Sequence, residues 1–506
     1  MLKSLNGNSH ESDVLMNISN LIPCIIPNWI NGREDFADSK KTIPKYNPVD
    51  GSVLCEITAS GSSEVQKAVD AAKSAQPLWS KIPPVRRGEI LHDLAMGMKK
   101  NREDIARIVH YETGKSYKDA LGETDGAISL ALFYAGEGQR LYGRTCTSGI
   151  ENKYAMTIRQ PIGIAGLIIS ANTPIANVAW KVFPALICGN TAILKAAKDS
   201  PATAWIVGKI AHEIGLPPGI FNIIQGRGEE AGSPLVEHPD IGIISFTGST
   251  EVGKNIAITC SKRLARVSLE LGGKNPFIVC DDADLENAAK WVLLSAFSNA
   301  GQRCAAASRI IIFESVYYKF REMLIKKVSH LKIGSNDDDD LGPVINKEQL
   351  FRMLGVIERS KMNGSNILIG GYRIMDETHK NGYFMAPTLI ENIASDDEIS
   401  TTELFGPIAC LYVVKNFQDA IILANNSMYG LTGCIHTRNF NRAVEFTQRI
   451  QSGVAVVNGG TYGSEPHMPF GGVKQSGNGS REPGTEALDV YSELKDVYVM
   501  IDEKEF

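Results

Sequence analysis

Apolar and polar positions fall into two patterns along this chain. Over residues 62–75 the apolar positions Val65, Ala68, Val69 and Ala72 recur at helical spacing, with Ser62 or Ser63 available as a cap. Two further amphipathic runs, 87–99 and 102–111, predict helices of the same kind. Beyond residue 160 the rhythm changes, and short apolar stretches begin to alternate with helical ones. Residues 162–170, 191–195, 221–224 and 241–246 predict strands, and 203–214 a helix. A second series starts near Asn275, with strands at 275–279 and 309–313 and helices at 285–297 and 316–332. Further strands are expected at 367–369, 409–414 and 454–457. Strands that are apolar on both faces and separated by helices specify mainly parallel sheets covered on both sides, so the expected fold class is α/β with two such domains. Ligands on these sheets bind beyond the carboxyl ends of the strands.

Several strand ends carry residues with chemistry. In Ser298-Asn299-Ala300-Gly301-Gln302-Arg303-Cys304 the cysteine stands between a predicted helix and a predicted strand, at the mouth of a βαβ unit. A free cysteine there is either a small buried hydrophobe or a nucleophile. Leu269-Glu270-Leu271-Gly272-Gly273-Lys274 puts a carboxylate inside an apolar strand. Such a group is costly unless it is paired, for instance with Lys274, or kept as a general base whose pKa burial raises. Phe246-Thr247-Gly248-Ser249-Thr250 leaves a strand and opens a helix whose first amides suit a pyrophosphate, or which Ser249 simply caps. Gly226-Arg227-Gly228, with Gly232 beyond, is a glycine-rich turn of non-standard spacing. Asn172, just past the first strand, is either an oxyanion donor or an ordinary turn residue before Thr173-Pro174.

Composition narrows the class without choosing among these readings. A chain of 506 residues, 43% hydrophobic and 22% charged, is expected to form two or three domains with substantial cores. A net charge of −5 with dispersed basic residues leaves no footprint for nucleic acid or an anionic membrane surface, so the expected partner is a small molecule. No apolar run approaches the ~18–20 residues that span a bilayer, and residues 1–20 lack a secretory apolar core, which makes 1–21 a short mobile extension. Nine widely spaced cysteines, without a CxxC or an HExxH motif, fit reduced thiols in the cytoplasm and give a metal no support.

Taken together and in order, the motifs resemble those of the NAD(P)-dependent aldehyde dehydrogenase superfamily. They are Asn172 with Ala179-Trp180-Lys181; Pro184-Ala185-Leu186 with Gly189-Asn190-Thr191; Phe246-Thr247-Gly248-Ser249; Glu270-Leu271-Gly272-Gly273-Lys274; Gly301-Gln302-Arg303-Cys304; Glu403-Leu404-Phe405-Gly406-Pro407; and Pro469-Phe470-Gly471-Gly472 with Lys474 and Ser476-Gly477. The resemblance runs from about residue 25 to the end. It implies that Cys304 attacks an aldehyde, that Asn172 and the Cys304 amide hold the oxyanion, and that Glu270 activates the water that hydrolyses the thioester. Lys195, Gly228, Gly248, Ser249, Glu403 and Phe405 are the implied cofactor residues. The implied architecture is a Rossmann-like cofactor domain (22–140 and 163–272), a catalytic domain (273–482) and a β arm (141–162 and 483–506) joining subunits of a homodimer or homotetramer.

Departures from the family pattern bear on specificity. NAD-preferring relatives usually carry a glutamate three residues after the ribose lysine, whereas this chain reads Lys195-Ala196-Ala197-Lys198. Lys198 removes a carboxylate that repels a 2′-phosphate and offers it a partner, so NADP is expected to be accepted and favoured over NAD. Ser170-Ala171-Asn172-Thr173 and Asn177 make the aldehyde tunnel more polar than in relatives for long apolar aldehydes, with Thr173, Asn177 and Trp180 as substrate residues. Arg303 is placed to lower the thiol pKa and hold an anionic substrate group, or else to pair with a neighbouring carboxylate. The resemblance thus points to a small acidic aldehyde such as a semialdehyde. A coenzyme A-acylating enzyme is the near alternative, against which Glu270 argues; an inactive binding relative would commonly lack Cys304.

Overall fold

The computed structural model describes residues 21–501. Most of the 1–21 extension therefore lies outside the described residues. Two seven-stranded sheets organise the rest. The first contains β1 (Asn28–Ile30), β2 (Arg33–Asp35), β3 (Ile164–Ile168), β4 (Thr191–Lys195), β5 (Phe221–Ile224), β6 (Ile241–Thr247) and β7 (Arg266–Glu270), in the order β7-β6-β3-β4-β5-β1-β2. Strands β3 to β7 run parallel, and the β1–β2 hairpin joins the edge antiparallel. Every residue of β3, β4 and β5 is buried, as expected of strands covered on both faces.

The second sheet contains β8 (Asn275–Val279), β9 (Ala307–Phe313), β10 (Asn366–Ile369), β11 (Thr388–Glu391), β12 (Ile408–Val414), β13 (Thr432–His436) and β14 (Val454–Val457), in the order β10-β11-β12-β9-β8-β13-β14. Only β10 is antiparallel to its neighbour. Residues 476–482 return to the first sheet: Gly477 bridges to Glu270, and the Leu269 N–H donates to Asn478 Oδ1 (3.0 Å). A separate three-stranded antiparallel sheet joins Arg144–Cys146 and Ser492–Met500 to Lys153–Pro161.

The helices that reach the site are α1 (Tyr117–Glu137), α2 (Pro174–Ile187), α3 (Thr250–Ser261) and α4 (Leu285–Phe297). The Ser249 hydroxyl caps α3 by accepting the Val252 N–H, and Asp284 caps α4 in the same way. Pro174 opens α2, where its missing N–H costs nothing. The turn that follows β5 runs into a five-residue π-helix, Gly228–Gly232.

Candidate active site

The ends of β3, β6 and β7 from the first sheet and the loop before β9 from the second converge on a cavity of about 470 Å³. Its walls include Asn172, Thr173, Asn177, Trp180, Glu270, Cys304, Glu403 and Phe405. A groove of about 740 Å³, lined by Lys195, Lys198, Arg227 and Gly228, shares Ser170, Thr247, Gly248 and Ser249 with that cavity. The expected catalytic and cofactor residues thus line two cavities that share a wall.

The cysteine loop is tightly specified. Asn299 and Ala300 adopt left-handed backbone (φ 52° each), which costs free energy at non-glycine positions and persists only where the surroundings enforce it. The enforcing contacts come from several directions. Gln302 Nε2 donates to the Asn299 and Pro343 carbonyls, and Gln302 Oε1 accepts the Ile345 N–H. Asn275 Nδ2 donates to the carbonyls of Cys304 (2.7 Å) and Ala306 (2.9 Å). Burial pushes the Cys304 thiol up to about 12, with the Glu403 and Glu270 carboxyls acting in the same direction; the Ala305 and Cys304 N–H groups oppose the shift. The lowered thiol pKa expected from Arg303 is therefore corrected. The causes of the shift are burial and the two carboxyls, and the Arg303 guanidinium lies over the Tyr462 ring, 4.6 Å from the centroid.

Asn172 is oriented by a short relay. Asn177 Nδ2 donates to Ser170 Oγ (3.3 Å), and the Ser170 hydroxyl donates to Asn172 Oδ1 (2.7 Å). The Asn172 amide nitrogen consequently faces the cysteine loop, where one N–H reaches the Gln302 carbonyl (2.8 Å) and the other remains. Asn177, expected to contact substrate, has its amide engaged by Ser170 and by both Thr173 oxygens. The sequence pointed to Ser170 only as a polar tunnel residue, and its role in orienting Asn172 was not read from it.

Glu270 is 3% exposed, and neither carboxyl oxygen has a hydrogen-bond partner among the described residues. Burial holds its pKa well above the ordinary carboxylate value, and the nearby Glu482 adds to this. The expected alternative of a Glu270–Lys274 ion pair is not realised. Burial lowers the Lys274 pKa, and the carboxyl that opposes this shift is that of Glu403. Behind Glu270, Lys181 and Glu482 form an ion pair (2.9 Å) with both side chains fully buried.

The lining of the 740 Å³ groove is compatible with the dinucleotide that the resemblance implies. Lys195 is buried at its floor, its pKa lowered to about 8 by burial. Lys198 is exposed at the groove. A side chain added at Gly228 would meet no protein atom, so the groove is open there. Gly248 is restricted differently, because a Cβ would strike the Phe246 ring. Thr247 Oγ1 is buried without a partner among the described residues, on the wall shared by the two cavities. At the other end Glu403 Oε1 accepts the Gly273 N–H (2.9 Å), and burial raises its pKa to about 7. Arg227 at the groove, and Phe470, Tyr429 and Arg352 at the cavity, were not read from sequence as site residues.

Arg303 does not line the main cavity. Its Nε is buried without a hydrogen-bond partner among the described residues. Tyr462, on which it rests, packs in one apolar cluster with Cys304, Trp180 and Phe470, and the last two rings meet edge-on at 5.3 Å.

Comparison with known proteins agrees with this geometry. The model of the aldehyde dehydrogenase family matches residues 36–497. The chain belongs to that family. It is an enzyme, an NAD(P)-dependent aldehyde dehydrogenase. An α-ketoglutaric semialdehyde dehydrogenase of Bacillus subtilis is 37% identical over 475 residues, covering 93% of this chain and 97% of the relative. A betaine aldehyde dehydrogenase from Staphylococcus aureus, solved in complex with NAD+, superposes with a TM-score of 0.93 at 30% identity, covering 96% of each chain. An Escherichia coli structure described as an NADP-dependent enzyme has a TM-score of 0.91 at 34% identity, covering 96% of this chain and 99% of that one.

Proposed function

We propose that this aldehyde dehydrogenase oxidises a small anionic aldehyde of the semialdehyde type to its acid, with water as the final acyl acceptor. The observation that carries the reading is the shared wall. Cys304, Asn172 and an unpartnered Glu270 line one cavity whose wall continues into a dinucleotide groove. Cys304 gives its proton to water and its sulfur bonds to the aldehyde carbon as the carbonyl π bond breaks, placing negative charge on the former carbonyl oxygen. The free Asn172 N–H and the Cys304 N–H hold that charge. When bound, the nicotinamide cofactor supplies the hydride acceptor. Glu270 then takes a proton from water as the water oxygen attacks the thioester; the carbon–sulfur bond breaks, the acid leaves and the thiol is restored. Coenzyme A is the weaker acceptor, because a buried carboxylate with both oxygens unsatisfied suits the activation of water.

Lys195, Gly228, Ser249, Glu403 and Phe405 would hold the cofactor. Lys198 and Arg227, both at the groove, support NADP as the favoured form, since two cations suit a 2′-phosphate. Arg303 does not line the cavity, so its support for an anionic substrate is its positive charge near the site rather than a direct contact. Its charge is not spent on a hydrogen bond through Nε, and it borders the aromatic cluster around the thiol through Tyr462. The B. subtilis relative, named for a semialdehyde, points the same way.

Among the described residues no helix is long and apolar enough to cross a membrane, which accords with a proposed cytoplasmic location. Exposed Tyr154, Ile158, Leu494 and Tyr498 on the three-stranded sheet support assembly into a homodimer or homotetramer through that arm. The deciding experiment is reduced-cofactor absorbance with succinic semialdehyde and hexanal, run with NAD and NADP, with and without coenzyme A. Equal kcat/KM for the two aldehydes would remove the anion argument, a strong preference for NAD would remove the Lys198 argument, and turnover by Cys304→Ala would overturn the mechanism.

A further inference from the structure

A second layer lies behind Asn172. Lys115 follows the helix Arg102–Thr113, turned inward by Gly114, which caps that helix in left-handed backbone (φ 72°). Its ammonium forms an ion pair with Glu123 Oε2 at 2.6 Å, and the two side chains are only 3% and 7% exposed. The same ammonium donates to the Asn172 carbonyl at 2.7 Å. The other oxygen of Glu123 accepts the N–H groups of Ile175 (3.1 Å) and Ala176 (3.3 Å), in the first turn of α2. Those donors have no partner within the helix, and a carboxylate there also meets the positive end of the helix dipole.

The pair therefore grips the chain at the Asn172 carbonyl and again at Ile175 and Ala176, on either side of Thr173 and Pro174. It does so without lining the cavity. The Asn172 carbonyl that receives Lys115 also accepts Asn299 Nδ2 (3.2 Å), from the left-handed part of the cysteine loop. One carbonyl thus ties the asparagine loop, the cysteine loop and a buried cation together. Buried ion pairs are poor sources of net stability compared with apolar residues of similar volume, and their best-attested use is to fix a register.

We infer that Lys115 and Glu123 are positioning residues that hold the Asn172 amide at the distance an oxyanion requires. The inference rests on the reading of Asn172 as an oxyanion donor. Oxyanion stabilisation needs donors about 2.7–3.1 Å from the oxygen, and losing one donor typically lowers the rate ~10²–10³-fold. Loosening the loop that carries the donor forfeits part of that factor, while Lys195, Lys198 and Gly228 of the groove lie on other segments.

The test is a double-mutant cycle on the pre-steady-state rate of reduced-cofactor formation, in the full-length enzyme. Lys115→Met is expected to slow that rate about 10- to 100-fold, with cofactor Kd unchanged, and to add less than about twofold in an Asn172→Ala background. Glu123→Gln, which keeps the shape and both helix N–H contacts, is expected to follow the same pattern more mildly, and it carries the test if Lys115→Met does not fold. A wild-type rate for both variants, or a loss that multiplies in full on top of Asn172→Ala, would overturn the inference. If Asn172→Ala itself keeps the wild-type rate, the oxyanion reading falls, a result distinct from intact Lys115 and Glu123 variants beside a crippled Asn172→Ala.

Discussion

Two buried glutamates, Glu270 at the end of β7 and Glu482 packed against the interior of β6 and β7, stand close together and are treated in opposite ways. Glu482 is fully enclosed, and its oxygens meet Lys181, Ser245, Ser268 and Tyr491 at 2.9–3.0 Å. Glu270 is enclosed almost as completely, and both of its oxygens lack partners among the described residues. Burying a carboxylate is costly unless hydrogen bonds and an opposite charge compensate. Full compensation fits a structural group, whereas its absence beside Cys304 is what the proposed general base requires. The same residue type at the same depth therefore does different work according to what surrounds it.

The largest expected effect breaks the pair at its reactive member. Glu270→Gln is expected to slow thioester hydrolysis about 10²- to 10⁴-fold while leaving the first burst of reduced cofactor intact, as stopped-flow absorbance would reveal. The same variant should be more thermostable than the parent at pH 8. A carboxyl whose folded pKa is raised stabilises the fold below its unfolded value of 4.5 and loses that contribution as pH rises through the folded value. The Tm difference between parent and variant should thus shrink toward pH 4.5. A variant less stable than the parent at pH 8 would mean that Glu270 is compensated after all.

Breaking the other member should cost folding. Glu482→Ala leaves the Lys181 ammonium buried and unpaired, and losing one partner of such a pair typically destabilises by about 3–5 kcal/mol. Urea unfolding should show the loss, and a change under about 1 kcal/mol would make Glu482 as dispensable to the fold as Glu270.

The same distinction between local and distant partners separates what the sequence makes legible from what it hides. Strands Thr191–Lys195, Phe221–Ile224 and Asn275–Val279 and the helix Leu285–Phe297 agree with their sequence patterns because burial leaves uninterrupted apolar or periodic runs. Helix Pro174–Ile187 offers no polar face to read, since 12 of its 14 residues are buried. Helix Tyr117–Glu137 contains Gly122, Gly126 and Gly136, which read as interruptions. Cys304, Asn172 and Glu270 were legible as strand-end residues, and the order of the motifs brought them to one site. The destination of the Arg303 side chain was not legible, because it is set by Tyr462, far along the chain. Lys115, Glu123 and Glu482 were hidden for the same reason: their roles lie in partners that no local spacing reveals.

Next in size is the thiol, which has carboxyls on both sides. With its pKa pushed up to about 12, Cys304 should be alkylated by iodoacetamide at a rate that climbs about tenfold per pH unit, or ~100-fold from pH 7 to 9 in the cofactor-free enzyme. A plateau below pH 9 would place a cation near the sulfur and return Arg303 to the thiol.

The smallest effect concerns a third carboxyl, intermediate between the two glutamates. Among the described residues the Glu403 carboxyl has one hydrogen-bond partner, the Gly273 N–H, and burial raises its pKa from 4.5 to about 7, against that bond and the opposing charges of Lys274 and Arg352. The raised value means that protonated Glu403 is favoured below about pH 7, and its capacity to accept hydrogen bonds from ribose hydroxyls falls as pH drops through that point. If Glu403 binds the nicotinamide ribose in its ionised form, the cofactor Kd should be flat above pH 8 and roughly tenfold higher at pH 6, where only about a tenth of the groups remain ionised. Glu403→Gln should bind more weakly at pH 8 and show no inflection near pH 7 in a fluorescence titration. An inflection that survived in that variant would assign the pH dependence to Lys195, whose pKa burial lowers to about 8 at the far end of the groove, and the partly compensated carboxyl would then be structural, like Glu482.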